Sequence, residues 1–152
     1  MNIRTLAIII FFSLTLGMSC GPKTGNNLPV ALKIKYNQYY IAGKNLYEEH
    51  CSNCHHKDGS GLVRLYPPLK NSDFLNAGPI RTICIIRNGF SGELIVNGIS
   101  FNQPMPGNQD LTNLEIAELV TYLYGVWGKE KRIYETEEIS VTLEDCSSLQ
   151  LH

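Results

Sequence analysis

Two thiols and an imidazole at set spacing, in Cys51-Ser52-Asn53-Cys54-His55, leave this chain few ways to fold. On a helical turn, positions i, i+3 and i+4 share a face, so all three side chains can meet one flat molecule. Cys-x-x-Cys-His is the attachment sequence of c-type haem, in which two thiols bond to the porphyrin and the histidine takes one axial position on the iron. A thioredoxin-like cysteine pair would need a βαβ setting, and a zinc site would need a second Cys or His pair at ligand spacing. The sequence offers neither.

Composition agrees with a small folded host for an apolar guest. The chain has 152 residues, enough for one domain with a core, and 43% of them are hydrophobic, which argues against disorder. Only 18% are charged and the net charge is −1, so a nucleic-acid surface, which needs a basic excess, is not expected.

At the N-terminus, Arg4 precedes an apolar run from Leu6 to Leu16 and then Gly17-Met18-Ser19-Cys20. The run is too short for a membrane span of about twenty residues and suits a secretory signal over 1–19. Its end resembles a lipobox with Cys20 as the lipidated residue, although Gly17 and Met18 are irregular there; a plain signal peptide is the alternative. Export and haem attachment support each other, since bacteria attach haem outside the cytoplasmic membrane. Residues 20–37 lack periodicity and are rich in turn formers, as expected of a flexible tether.

A domain over 38–128 follows. From about Tyr39 a helical stripe of Gly43, Leu46, Tyr47, His50, Cys51 and Cys54 delivers its last turn to the haem, and Gly43 with Tyr47 marks a helix crossing. After the loop at Gly59, Pro67-Pro68 fixes an extended backbone whose carbonyl can hold the outer nitrogen of His55. Pro68 is the expected acceptor, with a rigid turn away from the haem as the alternative. Gly78-Pro79 opens a helix that Asn88-Gly89 closes, and Asn97-Gly98 makes a hairpin of the flanking β-formers. Of the three methionines, Met1 and Met18 would leave with the signal, so Met105, between Pro104 and Pro106, is the expected second axial ligand. Its rivals are His50, His56 and His152. Thr112 and Glu115 form a capping box, with Leu111 facing Ile116, and open a helix whose face carries Leu119, Val120, Leu123 and Trp127.

The extension 129–152 sets Ile139, Leu143 and Cys146 at helical spacing, yet Ile139, Val141 and Leu143 would alternate equally well in a strand. Cysteine arithmetic leaves Cys84 and Cys146 once lipid and haem have taken their share. In an oxidising compartment the two can pair, but connectivity does not follow from sequence.

Together, Gly43-x-x-Leu46-Tyr47-x-x-x-Cys51-x-x-Cys54-His55, Pro67-Pro68-Leu69, Met105-Pro106 and Leu111-Thr112-x-x-Glu115-Ile116 resemble the class I cytochrome c family over about residues 38–128. The resemblance implies an all-α fold of three core helices plus short helices around one covalently bound haem c, with a small β-hairpin before the Met ligand loop. It implies His55 and Met105 as axial ligands and the role of a single-electron carrier between a redox donor and acceptor, rather than an enzyme. The setting implied is the periplasm or the outer face of the membrane, held by the lipid. A subunit of a larger oxidoreductase, or a haem enzyme or gas sensor with an open sixth position, is the alternative. The basic ring of some members is missing, which argues against a strongly acidic docking partner.

Overall fold

The computed structural model describes residues 28–146. The expected signal peptide, Cys20, residues 20–27 of the tether and His152 lie outside the described residues. The chain divides into two compact units, residues 1–31 and 32–152. Of the first, only the residues that begin a helix are described, and the second carries all that follows.

Helix α1 runs from Leu28 to His50. It therefore begins well before the domain boundary expected at 38. Val30, Leu32 and Ile34 are all exposed, so no buried stripe advertises the first turns. Good helix formers at Ala31, Leu32, Lys33 and Lys35 carry them instead. Lys35 is tied to Glu135 at 2.7 Å, and the ring of Tyr36 stacks on that of Tyr40.

The chain re-enters helix at once as the single turn α2, Ser52–His55, with the His55 amide donating to the carbonyl of Cys51 at 2.9 Å. Next comes α3, Asp73–Asn76, whose Leu75 amide donates to the capping Ser72 hydroxyl at 3.2 Å. Helix α4, Pro79–Asn88, starts after Gly78 with a proline in its first turn and stops at Gly89. Two small antiparallel ribbons follow: β1 (Gly89–Phe90) with β4 (Met105–Pro106), and β2 (Leu94–Val96) with β3 (Ile99–Phe101). The second is the expected hairpin. Asn97 and Gly98 both have positive φ, 52° and 75°, as a tight turn matched to strand twist demands.

That turn is also tethered to α3. The Asp73 amide donates to Asn97 Oδ1 at 3.0 Å, and the Asn97 amide donates to Asp73 Oδ1 at 2.8 Å. Asn97→Gly preserves the positive φ but removes one acceptor, so denaturant unfolding should show a loss of about 0.5–1 kcal/mol. A midpoint equal to wild type would mean that water replaces the amide without penalty.

Helix α5, Asn113–Val126, starts at the expected capping box, with Thr112 and Glu115 reciprocally bonded and Leu111 and Ile116 buried beneath. It crosses α1 at Gly43, where an added Cβ would fall onto the Glu118 carbonyl and lie 2.8 Å from Tyr122 Cβ. The rings of Tyr40, Tyr47, Tyr122 and Trp127 fill the crossing at centroid separations of 5.1–5.8 Å.

The open question of the tail is resolved as helix: α6 spans Thr136–Asp145. Ile139 is fully buried whereas Val141 is 62% exposed. A strand would have put both on one side. Tyr134 anchors the approach, its amide donating to the Thr121 hydroxyl at 3.0 Å, and Cys146 is bonded to Cys84 of α4. The architecture is mostly helical with few short strands and no closed sheet among the described residues, consistent with the fold class expected.

Candidate cofactor site

The turn α2 hangs from the end of α1 by the Cys51 amide, which donates to the Tyr47 carbonyl at 2.9 Å. Tyr47, fully buried, donates its hydroxyl to the His56 carbonyl at 2.5 Å, closing the turn from the core side. Burial raises its phenol pKa, and the approach of Cys51 adds to that.

His55 is buried, and its Nδ1 lies 3.0 Å from the carbonyl of Pro67. The expected acceptor, Pro68, does not make this contact; it lines the cavity instead. Leu69 and Lys70 both donate to the Gly59 carbonyl, and this anchor turns the Pro67 carbonyl, not the next one, toward His55. With Nδ1 as donor, Nε2 is left as the free lone pair of the neutral ring. Burial lowers the imidazole pKa, opposed by the Pro67 bond, so the neutral form needed of a ligand is favoured.

Two cavities of about 580 and 780 Å³ share His55, Pro67, Ile85, Leu94 and Met105 on their walls. Cys51 opens onto the first and Cys54 onto the second. The ribbon β1–β4 sets Met105 opposite Phe90 in register, so its place is determined by strand pairing rather than by a free loop. Helix α4 contributes Thr82, Ile85 and Ile86 to the first cavity, while Cys84 on the same helix meets the tail. Of the described histidines only His55 lines either cavity; His50 and His56 do not.

The thiols of Cys51 and Cys54 are free. Burial, then the neighbouring Cys54, pushes the Cys51 thiol up to about 12, and a hydrogen bond with Cys54 raises the phenol of Tyr66. Among the described residues no three His, Cys, Asp or Glu side chains converge as a bare-ion site would require. A large, flat, mostly apolar group with sulfur and nitrogen anchors suits this donor set and this volume. Sequence reasoning missed the Pro67 carbonyl, the Tyr66–Cys54 contact and the Phe90–Met105 pairing, none of which has a local signature.

A family model described as cytochrome C oxidase, cbb3-type, subunit III, matches residues 40–123, more than half of the chain. Cytochrome c-552 of Thermus thermophilus is 27% identical over 95 residues, which cover 60% of this chain and 72% of that protein. The cytochrome c subunit of a quinone alcohol dehydrogenase from Gluconacetobacter polyoxogenes is 30% identical over 112 residues, 72% of this chain and 22% of that subunit. The corresponding subunit from Gluconobacter oxydans is 31% identical over 90 residues. The chain thus spans about a fifth of the dehydrogenase subunits that it matches. With its helical fold and its apolar chamber walled by His55 and Met105, the chain belongs to the cytochrome c family, whose members are electron carriers built on haem c.

Proposed function

We propose that this protein is an exported single-electron carrier with one haem c, bound through Cys51 and Cys54 and ligated by His55 and Met105. The observation that carries the reading is the convergence of His55, already held by Pro67, and Met105 on the same pair of apolar cavities. Haem supplies a one-electron iron couple, and thioether ligation with burial favours a raised potential. The chain's own part is positional. Pro67 holds the His55 tautomer and ring plane, Cys51 and Cys54 supply the sulfurs for two thioether links, and the ribbon to Phe90 presents the Met105 sulfur. Ile85, Leu94 and Leu123 exclude water from the chamber. With His55 and Met105 both holding the group, the chain would leave no open side for a substrate, which favours transfer over catalysis.

Two features support an oxidising, extracytoplasmic setting: the apolar run before Cys20 and the Cys84–Cys146 bond. Cys20 as a lipid anchor completes the reading, and no described helix is long and apolar enough to cross a membrane. The likeness to dehydrogenase cytochrome subunits favours a second form of the same function, in which the chain relays electrons inside an oxidoreductase assembly.

Met105→Ala tests the reading. The oxidised haem-loaded variant should lose the weak long-wavelength absorbance of sulfur-ligated iron and bind carbon monoxide in its reduced form, with haem still attached. A native spectrum in the variant would refute the ligand assignment.

A further inference from the structure

We propose that the outward face of α1 rests on an anionic lipid surface, laying the helix along the membrane to which Cys20 anchors the chain; this rests on the anchor in the reading above. Ile34, Gln38, Ile41 and Asn45 follow one another at intervals of four, three and four, which makes one stripe of a helix, and none is charged. Ile34 and Ile41 are 54% and 60% exposed. Leu114, 45% exposed at the start of α5, lines one open groove with Ile41, Gln38 and Asn45. None of these residues lines either cavity, so the stripe is no part of the cofactor site. The helix already packs by its other side, at Gly43 and Tyr47, and an outward apolar stripe is surplus to the fold.

Charge says what covers it. From Gly21 to Tyr47 the sequence has four lysines, Lys23, Lys33, Lys35 and Lys44, and no acidic residue, in a chain whose net charge is −1. Lys35 is engaged by Glu135, whereas Lys44 keeps only a 3.8 Å approach to Glu48. Lys33 and Lys44 share one flank of the stripe. An apolar stripe edged by lysines, on a helix that follows a lipidated residue, suits anionic headgroups. Glu118, on the α5 side of the groove, has its carboxyl pKa raised by burial and then by Glu115, so it gives up its charge more readily at such a surface.

Chain length makes the contact possible. Because α1 begins at Leu28, it takes residues 28–37 from the tether expected over 20–37. Eight Cα steps separate Cys20 from Leu28, so α1 starts at most about 30 Å from the lipidated residue. Ile34 lies about 9 Å further along the helix axis. The first carboxylates after Cys20 are Glu48 and Glu49, at the far end of α1 beside the attachment turn. An anionic surface attracts the start of the helix and repels that end, which leaves the thiol-bearing turn to the aqueous side.

The experiment places the haem-loaded full chain, processed and purified from bacterial membranes, on vesicles of phosphatidylglycerol and phosphatidylethanolamine and measures alkylation by a charged maleimide. Haem, lipid and the Cys84–Cys146 bond occupy the native cysteines, so an introduced thiol is the one that reacts. Ile41→Cys and Val141→Cys compare residues of nearly equal exposure, 60% and 62%. On these vesicles Ile41→Cys should react at least about tenfold more slowly than Val141→Cys, and on phosphatidylcholine alone within about twofold of it. Adding Lys33→Glu and Ile34→Asp to Ile41→Cys should restore the Val141→Cys rate on the anionic vesicles while the lipid keeps the protein bound. Equal rates for the two single variants on anionic vesicles, or equal protection on both lipids, overturn the docking face alone. Protection that rises with the ratio of protein to lipid would reassign the stripe to a second copy of the chain and overturn it too. Mass analysis of the N-terminal peptide separates the two readings: a Cys20 without lipid overturns the anchor, and the docking face with it.

Discussion

Removing the Cys84–Cys146 bond by the double variant Cys84→Ala, Cys146→Ala should lower unfolding stability by about 4 kcal/mol, read from the shift in a denaturant midpoint at constant slope. The bond joins residues separated by 62 positions in sequence, and a cross-link of that span removes more freedom from the unfolded chain than one across a short loop. Both alanines are chosen so that neither an unpaired thiol nor a buried hydroxyl remains. The consequence reaches the cofactor chamber. Cys84 sits on α4, whose neighbouring residues Thr82, Ile85 and Ile86 line the first cavity together with His55. Helix α6 would still be held by Ile139, Tyr134 and the Lys35–Glu135 pair. Loss of the bond should therefore loosen the chamber before it unfolds the domain. Wild-type protein in excess dithiothreitol should fall to the same midpoint. If neither the variant nor the reductant moves it, the staple contributes nothing and the tail is secured by packing alone.

Gly43→Ala should destabilise the protein by about 3 kcal/mol, against the gain of about 1 kcal/mol that alanine ordinarily brings inside a helix. The sign comes from geometry. The added carbon would overlap the Glu118 carbonyl oxygen and come within 2.5 Å of its carbon, and backbone cannot swing aside as a flexible side chain can. The two helices must part, and with them the rings of Tyr47, Tyr122 and Trp127 that close on each other at the crossing. Because Tyr47 also holds the turn bearing the two thiols through the His56 carbonyl, the same variant should show weaker haem retention on mild unfolding. An unfolding midpoint at or above wild type would show that the crossing has slack that the close approach does not reveal.

The parts of the molecule that were legible in the amino-acid sequence are those governed by neighbours along the chain. The attachment turn follows from i, i+3, i+4 spacing. The Thr112–Glu115 box follows from two side chains three residues apart, and the hairpin from a two-residue turn that asparagine and glycine tolerate at positive φ. The crossing at Gly43 was foreseeable because only a residue without a side chain lets a second backbone come so near. The start of α1 was not, since its first turns bury no stripe and leave periodicity silent.

Tertiary structure alone decided the rest. It selected the Pro67 carbonyl over that of Pro68, because two adjacent carbonyls in an extended segment are equivalent until the Gly59 anchor turns one toward His55. It seated Met105 by pairing it with Phe90, and it made the tail a helix by burying Ile139 while leaving Val141 outside. It also chose which thiols pair and which stay free beside the chamber. These outcomes depend on contacts between residues far apart in the chain, whose energies exist only once the backbone has closed. Local spacing could state which groups this protein holds ready for a haem; the packed fold decided which atoms meet.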